Sequence, residues 1–113
     1  MAMQATVLIN ESGPLPKTAS VTGPGMLLVS GSGYTADTGT IGMQVQLDGT
    51  DVADAQVCAN STETHMAFVS QYVLITDDQK HTLTLSPWSN TITDENDYFV
   101  VAFLPQDPGA RVR

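Results

Sequence analysis

Cysteine, basic side chains and helical periodicity are scarce in this chain, and each shortage excludes something. One cysteine, Cys58, in 113 residues forbids an intramolecular disulfide, so a core must hold the fold. On an extended stretch Cys58 is expected to be a half-buried small apolar residue, not a reactive thiol. Four basic residues face 12 acidic ones, for a formal charge of −8. Lys17, Lys80, Arg111 and Arg113 are scattered or terminal. Such a surface repels phosphate, which argues against nucleic-acid binding and against adhesion to an anionic membrane. No apolar run approaches the length of a membrane span. The first ten residues carry no positive charge ahead of an apolar run, so no signal peptide is expected and synthesis is expected in the cytoplasm. No ten-residue window shows an apolar stripe at helical spacing, so little or no helix is expected.

What is present is alternation. Ile41, Met43, Val45 and Leu47 interleave with Gly42, Gln44, Gln46 and Asp48, the period-two pattern of a strand with one face on a core. Asp48-Gly49 suits a tight reversal, because both residues tolerate positive φ. Val52, Ala55 and Val57 return with broken alternation, which predicts a bulge or longer loop within residues 51–54.

Other strands follow from the same logic. Met26-Leu27-Leu28-Val29-Ser30, bounded by glycines, reads as a central strand, and Tyr98 to Leu104 as an apolar closing strand ended by Pro105. Gln4 to Ile9 could form a first, peripheral strand, and residues 18–22 and 81–85 are shorter candidates. His65 to Thr76 is the longest; both its faces are apolar, so it is covered on both sides or bends from one sheet to another. Seven to nine short strands imply an all-β, antiparallel β-sandwich or jelly roll. The expected division is an extended amino-terminal arm over residues 1–16, a single sandwich over 17–105 and a tail over 106–113.

Candidate chemistry is thin. The acidic turn Asp94 to Asp97 offers three carboxylates and an amide but lacks the spacing of a calcium loop, so it reads as a solvated turn. Asp77-Asp78 and the trio Asp48, Asp51 and Asp54 read the same way. His65 and His81 each begin a strand and with Cys58 could build a small site, yet no spacing matches a zinc or catalytic pattern. No cofactor, no metal and no enzymatic activity are expected. Trp88, in Pro87-Trp88-Ser89-Asn90, reads as a loop aromatic that could stack on a sugar, anchor a subunit contact or fold back on the core edge.

A compact run of short strands with an early apolar strand at Met26 to Ser30 and a closing Tyr98-Phe99-Val100-Val101-Ala102-Phe103-Leu104 resembles the jelly-roll domains of the TNF/C1q-like group. It is similar also to the small β-sandwich proteins that decorate tailed-phage heads or build phage fibres. The resemblance covers roughly residues 18–104 and is architectural. It implies a homo-oligomer, usually a trimer, working through surfaces on a larger assembly such as a capsid shell. The expected function is thus a homotrimeric decoration or cementing protein of a phage-like capsid, located in the virion. Leu8, Ile9, Leu15, Trp88, Tyr98, Phe99 and Phe103 are the expected interface residues. The alternative is a carbohydrate-binding module using Trp88, Tyr34, Asp94 and Asn96.

Overall fold

A computed structural model describes residues 4–106. The described residues form ten strands and no helix: β1 (Thr6–Ser12), β2 (Lys17–Thr22), β3 (Gly25–Ser30), β4 (Ser32–Gly33), β5 (Gly39–Leu47), β6 (Thr50–Ala59), β7 (Met66–Ala67), β8 (Gln71–Ile75), β9 (Lys80–Trp88) and β10 (Tyr98–Pro105). They make an antiparallel sandwich. The first sheet has the order β1-β10-β3-β8 and the second β2-β9-β5-β6, with β4 and β7 paired as a small third sheet.

The β5–β6 hairpin is as its sequence predicts. Asp48 (φ 54°) and Gly49 (φ 83°) form the turn. The bulge is also there: Val45 pairs with Ala53 but Gln46 with Asp51, which leaves Val52 unpaired. Alternation on β5, β9, β3 and β10 sends Met43, Val45, Leu83, Leu85, Leu27, Val29, Phe99 and Val101 into the core between the sheets, all without solvent exposure.

Three expectations are corrected. The first is the free arm over residues 1–16, while the peripheral strand expected at Gln4 to Ile9 is there as β1. Thr6–Ser12 pairs along β10 from Phe103 to Tyr98, and Ile9 and Leu15 are buried, because an unpaired flank of β10 would leave core and backbone open. The expected interface residues Ile9, Leu15, Phe99 and Phe103 are therefore core. Leu8 packs on that core, Trp88 is half-buried and Tyr98 is exposed.

The second is the length of the strand from His65 to Thr76: the expected passage from one sheet to another is there, but it divides the stretch into two strands, β7 and β8. Phe68 is buried, yet Tyr72 and Leu74 at the same parity are exposed while Val73 and Ile75 are buried. The chain crosses between sheets over residues 68–70, with Val69 N–H donating to the Gln56 carbonyl, so both kinds of apolar position are used. The third is Cys58, which is exposed because it lies opposite Thr40, out of phase with the inward Ala55 and Val57. Residues 107–113 of the expected tail lie outside the described residues, as do residues 1–3 of the expected arm.

Pro87 does not break β9 as its residue type suggests. It pairs with Met43 on one side, and on the other β2 reaches only as far as Leu85, so the missing N–H falls where β9 is locally an edge.

Candidate binding site at one end of the sandwich

At the end of the first sheet where β1 stops and β10 starts, four segments converge: the 13–16 connector, β4 with Tyr34, His65 ahead of β7, and the 93–97 loop. Asp97 organises them. Its side chain is fully buried. One carboxylate oxygen, Oδ1, accepts from Ser32 Oγ at 2.8 Å and meets His65 Nδ1 at 2.7 Å, while Oδ2 accepts the Asp94 N–H at 3.0 Å. The backbone is locked as well: Asp97 N–H donates to the Asp94 carbonyl, and Gly13 N–H donates to the Asp97 carbonyl. Nearby, Leu15 N–H donates to Thr93 Oγ1.

This corrects the reading of Asp94 to Asp97 as a wholly solvated turn. A carboxylate removed from water needs several donors to offset its desolvation, and Asp97 has three. Asp94 accepts the Asn96 N–H through Oδ1 at 2.8 Å, an Asx turn that aims the loop.

With Asp97 spent on structure, three groups are left facing outward. His65 directs Nε2 to within 3.8 Å of Asp94 Oδ2. The Tyr34 ring lies against the His65 ring, centroids 4.4 Å apart and tilted by 41°. Tyr34 is fixed through its backbone, which exchanges hydrogen bonds with Ile92 at 2.9 and 2.7 Å. The hydrogen bond to Asp97 holds the His65 imidazolium above its ordinary range; partial desolvation opposes this and the charges of Asp97 and Asp94 reinforce it. The Tyr34 phenol is pushed up, first by loss of solvent and then by the carboxylates of Asp94, Asp97 and Glu63.

His65, Asp94 and Asp97 place potential ligand atoms within 4.8 Å of one another. Three donors already occupy the Asp97 oxygens, however, and Nδ1 of His65 is turned to Asp97. His65 Nε2 and one Asp94 oxygen remain, fewer than the three or four protein ligands of a zinc site. What this geometry suits is neutral polyol recognition: a carboxylate to accept hydroxyl protons, an imidazole nitrogen to hydrogen-bond a hydroxyl and an aromatic ring beside both. An open cleft of about 340 Å³ lined by Thr35, Asp37, Asn90 and Ile92 adjoins it across the Tyr34–Ile92 bridge.

Of the group expected from sequence, the fold brings Tyr34, Asp94 and Asn96 to this end. Trp88, expected in a loop, is the last residue of β9, paired with Gly42, and its carbonyl accepts the Thr91 N–H. His65 and His81 do not share a site. His81 lies at the opposite end, its Nδ1 2.6 Å from Asp48 Oδ2 and its Nε2 2.8 Å from Asp77 Oδ1. Sequence reasoning did not single out Ser32, took Asp97 only as part of an acidic turn, and weighed His65 only with His81 and Cys58. The spacing of Asp94 and Asp97, three apart around a turn, was the available signal.

No protein-family model matches the chain, and no curated protein matches it. Among solved structures, the chain is similar to the C-terminal domain of EclA, a sugar-binding protein, at a TM-score of 0.44 and 14% identity, over 91% of this chain and 79% of that one. The fold and end cluster define the chain as an antiparallel β-sandwich with a polar, aromatic-flanked side-chain cluster at one end.

Proposed function

We propose that this chain is a non-enzymatic carbohydrate-binding β-sandwich whose recognition surface is the end carrying Tyr34, His65 and Asp94. The observation that carries the reading is the buried Asp97, whose carboxylate accepts from Ser32, His65 and the Asp94 N–H and so holds His65 and the 93–97 loop in place. Fixing those groups before a ligand arrives removes part of the ordering cost of binding. A pyranose presents adjacent hydroxyls whose protons one carboxylate accepts and which an imidazole nitrogen complements, and its C–H face packs on an aromatic ring.

The other expectation, a homotrimeric capsid-decorating protein of the virion, relied on a free arm to tie neighbours together, and residues 6–12 of that segment pair with β10 as β1. Glycan-array screening followed by calorimetry tests the sugar-binding reading. Binding of at least one mono- or disaccharide is expected, weakened tenfold or more by Asp94→Asn and by Tyr34→Ala, whereas Ser20→Ala on the second sheet leaves it unchanged. Absence of any glycan binding, or full retention in both site variants, overturns it.

A further inference from the structure

The two outer faces of the sandwich differ in a way that core packing does not require. On the second sheet the outward positions are hydroxyls and amides such as Thr18, Ser20, Thr82, Thr84, Gln44 and Gln46, the expected dress of a sheet that meets water. On the first sheet two of the outward rows are apolar, and a third, of Asn10, Val100 and Ser30, is mixed. Register aligns Val7, Ala102, Leu28 and Tyr72 in one row across all four strands, and Leu104, Met26 and Leu74 in the next. Leu74 is 71% exposed, Tyr72 66% and Val7 57%. No outward position on β1, β10, β3 or β8 is charged, although the chain has 12 acidic residues; Glu11 pairs with the inward Phe99 and so lies on the other side of the sheet.

We infer that this face is an interface between two copies of the chain, stacked sheet on sheet about a two-fold axis. Charge selects the occupant. A chain of net charge −8 opposes acid to acid wherever it meets itself, except across the one face from which acids are excluded. Shape agrees: flat antiparallel sheets pack face to face about 10 Å apart, as the two inner faces of this molecule already do, and a two-fold contact needs only one self-complementary patch.

Area sets the strength. Four strands at about 4.8 Å spacing and about six residues at 3.4 Å give a footprint on the order of 400 Å². That is about half the roughly 800 Å² per partner of a standard interface, so the dimer is a reversible one. The inference is independent of the ligand at the far end.

Sedimentation velocity on the full chain, from roughly 10 µM to 1 mM, tests it. A concentration-dependent shift from monomer to dimer is expected. The double variant Tyr72→Glu/Leu74→Glu, at exposed positions, should remain monomeric tenfold beyond the wild-type midpoint, while Ser20→Glu on the second sheet should dimerise as the wild type does. Methyl NMR across the same dilution series gives a check that needs no variant: Leu28 and Leu74 should shift and the core Leu83 should not. A monomer at every concentration overturns the inference, whatever else binds the face, and so does a dimer that the double variant leaves intact or that moves no methyl on this face.

Discussion

At the scale of the residue, Asp97 and His81 show how few polar groups hold the ends of this sandwich. Asp97 is one residue from β10, yet its carboxylate reaches β4, the segment before β7 and its own loop. Replacing it with Ala strands the Ser32, His65 and Asp94 donors together, and the expected cost is about 3 kcal/mol of unfolding free energy in urea titration. Because His65 then loses its fixed orientation, glycan binding is expected to fall along with stability. A variant that binds normally while destabilised would separate scaffold from site.

At the scale of the element, β1 is the segment whose role depends most on its partner. Its sequence is permissive, with apolar Val7, Leu8 and Ile9 next to polar Asn10, Glu11 and Ser12. The pairing with β10 decides that it belongs to the sheet. A free arm would be dispensable for folding. A strand whose Ile9 is 2% exposed is not, and deletion of residues 1–12 uncovers the backbone edge of β10. The shortened chain is therefore expected to unfold at least 10 °C lower or to aggregate, as scanning calorimetry and turbidity would show. The β5–β6 hairpin is the opposite case, since its turn, bulge and inward residues are written locally. The crossing at residues 68–70 stood between these cases: two apolar faces stated that something changed, and only the pairing of β7 with β4 and β8 with β3 showed what.

At the scale of the whole molecule, one histidine cluster stands at each end of the long axis, and together they set a pH window for stability. In each cluster an imidazole faces carboxylates, and His81 offers a proton from both ring nitrogens only when charged. Hydrogen bonds to Asp77 and then to Asp48 hold His81 above its ordinary value, and His65 is raised by Asp97. Stability from a raised histidine is complete below the unfolded value of 6.5 and is lost as pH rises through the folded one. Asp48 is lowered by the Thr82 N–H and by His81, and Asp77 by His81 and the Gln79 N–H. Their contribution is present above the unfolded 3.8 and is lost as pH falls through the lowered value. The thermal midpoint is thus expected to be highest between about pH 4 and 6.5 and to decline toward pH 9. His65→Gln/His81→Gln should flatten that alkaline decline; an equally steep decline in the double variant would show that other groups cause it.

The sequence by itself determined that this protein is an antiparallel β-sandwich without helix among its described residues, because period-two alternation and turn chemistry act over a few neighbours and need no partner to be read. It also set Tyr34, Asp94 and Asn96 apart as a candidate recognition group. Only the tertiary structure decided that Ile9, Leu15, Phe99 and Phe103 are core, that Asp97 is buried against His65 while Trp88 ends a strand of the second sheet, and that the two histidines stand at opposite ends. Those outcomes depend on pairings between segments far apart in the chain: β1 with β10, β4 with β7, Ser32 with Asp97. An apolar side chain is compatible with either side of a sheet until register assigns it one, and a carboxylate is compatible with water or burial until donors from distant strands arrive to satisfy it.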